Sequence, residues 1–286
     1  MLILSSEYIF PGMRQGELTA MRDGLRGMTQ DIVPFIYIRE PAGFYASACQ
    51  QDVRMGRDMR GPGPIMLRAR LEALIKVFGE AKLRSFARSA LEGGDILVDF
   101  VTHGMGRPDL LDRITREDAN HSVSAEACAI LQIFRQHVAP ERRGLPDPYA
   151  NALTDVIEII EAEQGLENRA RLKPDVARKV RQCSVDYGWL RKTHGLSFAE
   201  LDYEALEKTM AEPQAALLDG GVEEIFEVDT TIRDQILAAL MLRMLGFRNT
   251  NRNLMQKITP KRLWFSWFRG LGLRRALYLV LRIDQR

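Results

Sequence analysis

The chain has 286 residues, a net charge of +2, 46% apolar residues and 27% charged residues, a composition typical of globular proteins. This length allows one large domain or two small ones. No run of about 18 uncharged apolar residues is present, which argues against a membrane span. The start "MLILSSEYIF" has no basic residue and reaches a carboxylate at Glu7, unlike a signal peptide. The sequence therefore predicts a cytoplasmic protein.

The cysteines and histidines are too dispersed to predict a metal site or a disulfide framework. Cys49, Cys128 and Cys183 form no close pair, so buried reduced thiols are expected. None of the four histidines lies three or four residues from another, as helical metal ligands often do. We expect no metal in this protein.

The first part of the chain predicts strands alternating with helices. Residues 2–6 form an apolar run that predicts a short buried strand. Residues 17–28 have a helical pattern, and residues 33–39 form an uninterrupted apolar strand of the kind found in parallel sheets covered on both faces. Pro41 suits the first turn of the next helix.

Helical patterns dominate the rest of the chain. A long amphipathic helix is expected from near Ile65, and "AKLRSFARSAL" allows one short strand. From about residue 120, the helical runs follow capping residues, Ser122 or Ser124 for one run and Asp147 for the next. The sequence predicts an α/β fold with a three-layer core, a small, mainly parallel sheet of at most four strands, and a largely helical C-terminal half.

Arg39 and Ser47 mark the candidate binding site. Arg39 ends the second predicted strand and Ser47 follows eight residues later. Ligands of open parallel sheets bind at the carboxyl ends of strands, and arginine presents a planar fork that suits phosphate. Backbone amides at the helix start add further donors. Two interpretations follow: a phosphomonoester pocket, or a helix start in which Arg39 pairs with a carboxylate and Ser47 bonds to its own helix.

The spacing Arg-x-Pro with Ser eight residues after the Arg resembles the 3′-phosphate-binding motif of the sulfotransferases. The stretches "LILSSEYIF", "YASACQQDVRMG", "LEGGDILVDFVTHGMG" and "DYGWLRKTHGLSF" resemble bacterial carbohydrate-type members, and together they span about residues 1–200. The resemblance implies a P-loop-like core in a domain of residues 1–256. It also implies 3′-phosphoadenosine 5′-phosphosulfate as sulfuryl donor, with its 3′-phosphate held by Arg39 and Ser47, and a carbohydrate hydroxyl as acceptor.

The resemblance also implies that Glu7 is the general base, because carbohydrate-type members place a carboxylate on this side of the sheet. The alternative is that Glu7 caps a neighbouring loop or helix. His103 and His121 are weaker candidates for the base. Asp95 is expected to cap a helix and Asp99 to make a structural hydrogen bond. A further residue, Trp189, is expected in the core rather than stacked on a sugar or adenine.

The chain departs from the family near its start. Sulfotransferases carry a loop with a lysine that cradles the 5′-phosphosulfate, whereas the first lysine here is Lys76. A sheet without the strand that precedes this loop is expected to expose strand edges. Two functions are therefore open. One is an enzyme whose loop is encoded upstream of Met1. The other is a non-catalytic remnant that acts as a binding or scaffold protein in polysaccharide biosynthesis.

The last 30 residues are strongly basic. Residues 257–286 hold eight of the 40 basic and one of the 38 acidic residues, which leaves a net charge of −5 in residues 1–256. Thr259 and Pro260 predict a helix start, so a helical tail rich in aromatic and basic residues is expected. Residues 259–283 either contact the inner face of an anionic membrane or cover a core or a partner subunit. Nucleic acid is not an expected partner, because the acidic main body repels phosphates.

Overall fold

The computed structural model describes residues 2–6, 13–29, 31–114, 123–138, 144–145, 147–166, 169–210, 216, 221–249 and 277–282. The strands and α-helices of these residues are, in chain order, β1 (Leu2–Ser6), α1 (Gln15–Arg26), β2 (Asp31–Ile38), α2 (Pro41–Arg54), α3 (Arg68–Phe78), β3 (Lys82–Ser85), α4 (Ile96–Asp99), α5 (Ala125–His137), α6 (Pro148–Glu163), α7 (Pro174–Cys183), α8 (Asp186–His194), α9 (Tyr203–Lys208), α10 (Val222–Ile225), α11 (Thr230–Asn249) and β4 (Leu277–Arg282). A π-helical turn, Phe100–Gly104, continues α4. The predicted α/β fold with a largely helical second half is confirmed.

The four strands form one sheet in the order β1-β4-β2-β3. β2 and β3 are parallel, because the chain returns between them through the helices α2 and α3. β4 is antiparallel to both β1 and β2. Only one of the three neighbouring pairs is therefore parallel, and the expectation of a mainly parallel sheet is wrong. β4 reaches the sheet from the far end of the chain.

β4 changes two further expectations. It lies between β1 and β2 and pairs with both, so the strand edges that were expected to be exposed there are covered. Residues 277–282 form a strand, and the prediction of a helical tail is wrong for them. Their sequence, "LYLVLR", is almost entirely apolar and includes Tyr278 and Val280, which favour strands. Residues 259–276 lie outside the described residues, so membrane contact through the tail stays a prediction.

Helical segments cover both faces of β2. Side chains alternate along a strand, and Ile36 and Ile38 share a buried cluster with Leu18 of α1 and Leu71 of α3. On the opposite face, the ring of Phe35 packs edge-on against Phe100, with ring centroids 5.6 Å apart. These contacts place α1 and α3 on one face of the strand and the α4 segment on the other.

A second, larger core lies among the helices α2, α5, α6, α10 and α11. Residues from all five contribute, including Cys49, Leu131, Ile157, Ile225 and Ile236. This core explains the helical periodicity in the sequence of the second half of the chain, because each helix buries one apolar face in it. The helical core and the sheet meet at α2, which starts directly after β2.

An ion pair is buried at the end of this helical core. The Arg135 guanidinium donates to the Asp147 carboxylate at 2.8 Å, and the exposed fractions of the two side chains are 2% and 0%. Arg135 also donates to the carbonyl oxygens of Met55 and Leu145. Because every one of these contacts crosses between segments, Arg135 joins the end of α2 to the start of α6.

The predicted helix caps are confirmed where the structure describes them. The Asp95 carboxylate accepts the N–H groups of Leu97 and Val98. Ser124 caps α5 through the N–H of Ala127, and Asp147 caps α6 through the N–H of Tyr149.

Candidate anion pocket at the end of β2

Arg39 lies directly after the last residue of β2, as predicted. Its carbonyl oxygen accepts a hydrogen bond of 2.7 Å from the Tyr187 hydroxyl on α8. Its guanidinium carbon lies 4.2 Å from the ring centroid of Phe86, close enough for a cation–π interaction. Phe86 follows β3, and its N–H donates to the Ile38 carbonyl at 2.8 Å. The carboxyl ends of two parallel strands thus hold Arg39 in place.

Glu40 occupies the start of α2. Its carboxylate accepts the N–H of Ala42 at 3.1 Å and the N–H of Gly43 at 2.8 Å. The Arg181 guanidinium on α7 donates to the same carboxylate at 2.8 Å. A carboxylate at this position satisfies free helix amides and complements the helix dipole. The expectation that these amides are donors for a bound phosphate is therefore wrong for Ala42 and Gly43.

Ser47 lies two turns into α2 and is only 5% exposed. Its hydroxyl oxygen is buried and has no hydrogen-bond partner among the described residues. A helical serine commonly donates to the carbonyl four residues earlier, which is Gly43 here. The alternative that Ser47 bonds to its own helix backbone is therefore wrong. A buried hydroxyl left without a partner costs about 1–3 kcal/mol, so the Ser47 hydroxyl calls for an explanation.

A buried carboxylate fixes the neighbouring part of the sheet. Asp99 is fully buried and accepts hydrogen bonds from the Tyr37 hydroxyl at 2.6 Å, from Arg84 Nε at 2.7 Å and from the Glu92 N–H at 2.9 Å. Burial acts to raise the pKa of Asp99, but these hydrogen bonds and the Arg84 charge outweigh it, so the pKa is lowered. The predicted structural role of Asp99 is confirmed. Its contact with Arg84 holds β3 two residues before Phe86.

The remaining candidates lie elsewhere. Glu7 and His121 lie outside the described residues. The His103 side chain is 38% exposed and lies 3.3 Å from the Glu92 carboxylate, so it is a surface residue. Trp189 packs against the buried cluster under β2 and against the ring of His194, with ring centroids 5.0 Å apart. The predicted packing role of Trp189 is therefore confirmed.

Three residues that shape the pocket were not predicted from the sequence. Arg181 and Tyr187 are more than 140 residues from the groups they contact, Glu40 and Arg39. Phe86 lies just past a four-residue strand whose pairing partner is β2. None of these contacts has a local sequence signal, because each depends on how distant helices and strands pack.

Comparisons of the chain with protein-family models, curated proteins and solved structures found no match. Among the described residues, no group of three or more His, Cys, Asp and Glu side chains is arranged to hold a metal ion. In that same part of the chain, no helix combines the length and apolarity needed to cross a bilayer. The position of Arg39 at the end of β2 and the buried hydroxyl of Ser47 are therefore the basis for a functional proposal.

Proposed function

We propose that this chain is a sulfotransferase-like protein that binds the 3′-phosphate of a 3′-phosphoadenosine nucleotide at the end of β2. Arg39 and Ser47 are the residues that contact this phosphate. The observation that carries the proposal is the Ser47 hydroxyl, which is buried and has no partner among the described residues. A phosphate oxygen would accept its hydrogen bond and remove the cost of leaving the group unpaired.

The environment of Arg39 also supports a phosphate ligand. Its guanidinium stacks on the face of Phe86, while phosphate is recognised by the N–H edge of a guanidinium. Stacking therefore fixes the plane of the guanidinium fork. The backbone of Arg39 is fixed by Tyr187, so little side-chain and backbone freedom remains to be lost on binding.

The reaction implied by this ligand is sulfuryl transfer from 3′-phosphoadenosine 5′-phosphosulfate to a carbohydrate hydroxyl. Glu7 would take the proton of that hydroxyl as the sulfuryl group is attacked in line. A second candidate function is nucleotide binding without transfer, in a scaffold for polysaccharide biosynthesis.

Isothermal titration calorimetry with adenosine 3′,5′-bisphosphate tests the binding proposal. Arg39→Ala should weaken the affinity by about 1.5–3 kcal/mol, the scale of a hydrogen bond to a charged group. Ser47→Ala should weaken it by about 1 kcal/mol or more. Arg70→Ala and Ser89→Ala, at exposed positions, are the matched controls. Unchanged affinity in both the Arg39 and Ser47 variants would remove the basis of the proposal.

A transfer assay separates the two candidate functions. The chain is incubated with isotopically labelled 3′-phosphoadenosine 5′-phosphosulfate and a mixture of polysaccharides. Label transfer that Glu7→Gln abolishes, with nucleotide affinity retained, supports the enzyme. Tight nucleotide binding with no transfer supports the scaffold.

A further inference from the structure

A cavity of about 610 Å³ lies where the start of α5, the start of α11 and the segment before α7 meet. This volume is within the range of small-molecule sites, roughly 300–1,000 Å³. The charged residues that line the cavity are Glu126, Arg169, Arg171, Glu227 and Asp229. A cavity with so many charges suits a polar ligand rather than an apolar one.

A short antiparallel pairing directs two of these charges into the cavity. Leu172 and Phe226 form an isolated bridge, and the Glu227 N–H donates to the Arg171 carbonyl at 2.9 Å. Leu172 and Phe226 pack into the helical core. Because side chains alternate along an extended segment, Arg171 and Glu227 are on the opposite face, which lines the cavity.

Glu126 is the most deeply buried charged residue of the lining, at 4% exposed. Its Oε1 accepts the Asp229 N–H at 2.8 Å, and within the described part of the chain its carboxylate forms no ion pair and no second hydrogen bond. Burial raises the pKa of Glu161 nearby, the hydrogen bond from Ser124 opposes the rise, and the charge of Glu126 adds to it. A buried carboxylate without a counter-charge is costly, and a cationic group of a ligand would compensate Glu126.

Two arginines at the rim of the cavity supply the opposite charge. Arg169 and Arg171 are exposed, and neither guanidinium forms an ion pair or a hydrogen bond among the described residues. A guanidinium presents parallel N–H groups that match the two oxygens of a carboxylate. The cavity therefore combines a buried acceptor for a cation with donors for a carboxylate.

We propose that this cavity binds a small zwitterion, an α-amino acid with an aliphatic side chain. Glu126 holds the ammonium group, and Arg169 and Arg171 hold the carboxylate. Val228 and Ile232, which also line the cavity, contact the aliphatic side chain. Glu126 repels a simple anion and the two arginines repel a simple cation, so the ligand needs both charges.

The cavity is separate from the pocket at the end of β2. Arg171 lies three residues before the start of α7, whereas Arg181, near the end of that helix, contacts Glu40. This inference does not rest on the proposed function. Variants at the cavity should leave the affinity for adenosine 3′,5′-bisphosphate unchanged, so the failure of one proposal is distinguishable from the failure of the other.

The first experiment compares three probes of matched shape with the full chain. L-leucine carries both charges, isoamylamine lacks the carboxylate, and isocaproate lacks the ammonium group. L-leucine should raise the melting temperature saturably. In isothermal titration calorimetry, each single-charge compound should bind about tenfold or more weakly than L-leucine. If L-leucine does not bind, or if either single-charge compound binds as well, the proposal is overturned.

The second experiment places the bound probe in the cavity. Glu126→Gln keeps an oxygen for the Asp229 N–H and removes the charge. It should weaken L-leucine about tenfold or more without lowering the melting temperature of the ligand-free chain. Arg171→Ala should weaken L-leucine but not isoamylamine. Arg178→Ala, at an exposed position of α7, is the control and should change neither.

The variants also decide between a ligand role and a structural role. If Glu126→Gln and Arg171→Ala both bind L-leucine as the parent chain does, the probe binds elsewhere and the proposal is overturned. If Glu126→Gln lowers the melting temperature, the exposed Arg171 decides, because its loss leaves the core intact. Weaker binding of L-leucine by Arg171→Ala then supports the proposal, and unchanged binding overturns it.

Discussion

The carboxyl group of Asp99 shows how a single residue sets the geometry beside the pocket. It is fully buried, and its hydrogen bonds come from three segments: Tyr37 on β2, Arg84 on β3 and the Glu92 backbone. A buried ion pair adds little net stability, but removing one partner leaves the other charge uncompensated.

We expect Asp99→Asn to lower the free energy of unfolding at pH 7 by about 3 kcal/mol. The folded pKa of Asp99 is lowered from its usual 3.8. Its contribution is therefore complete above pH 3.8 and is lost as the pH falls through the lower folded pKa. Urea unfolding at pH 7 and near pH 3 should show the difference between variant and parent narrowing in acid. A difference that stays constant with pH would contradict this account.

Gly56 provides a second test at the scale of one residue. Its φ is +62°, and an added Cβ would lie 2.5 Å from Nε of the buried Arg135. Gly56→Ala should cost about 2–4 kcal/mol, from backbone strain and overpacking together. The control is Gly79→Ala, where φ is +88° and no atom lies within 4 Å of the added Cβ. It should cost only about 1 kcal/mol. Equal losses in chemical denaturation would show that contact with Arg135 is unimportant.

At the scale of elements, the three cysteines report on helix packing. Cys49, Cys128 and Cys183 lie on α2, α5 and α7, and all are buried and free. Burial raises the pKa of Cys49 and of Cys128 to about 12, so their thiolate fraction at pH 8 is very small. We expect almost no labelling by a thiol reagent at pH 8 in the native chain, and three labelled cysteines in denaturant. Rapid native labelling of one cysteine would show that its helix opens.

Elements with a local signal were predicted from the sequence, and those that depend on distant pairing were not. Short local patterns of a few residues predict the strand β2 and the caps Asp95 and Asp147. The pairing of β4 joins residues more than 240 positions apart, and no periodicity encodes it. The residues of the candidate site show the same contrast between local and distant determinants. The position of Arg39 could be predicted because it comes at the end of an apolar run. The contact between Arg181 and Glu40 could not, because it depends on the packing of α7 near α2.

At the scale of the whole molecule, the sheet links the two ends of the chain. β1, β2 and β3 run in the same direction, since β4 is antiparallel to β1 and β2 and β2 is parallel to β3. β4 therefore runs opposite to the other three strands, and both of its pairings are antiparallel. β4 pairs with β1 over five residues and with β2 over six. Without it, the facing edges of β1 and β2 would have no partner between them.

Leu279 tests whether this strand is part of the cooperative fold. It pairs with Leu4 of β1 and with Pro34 of β2. Leu279→Pro removes a backbone donor from a strand with neighbours on both sides, and we expect a loss of about 3 kcal/mol or more. The freed edges of β1 and β2 should also promote self-association. Leu279→Val keeps the N–H and is the control. Urea unfolding and light scattering measure the two effects. If the proline and valine variants behave alike, β4 contributes nothing to the folded sheet, and the β1 and β2 edges must be protected in another way.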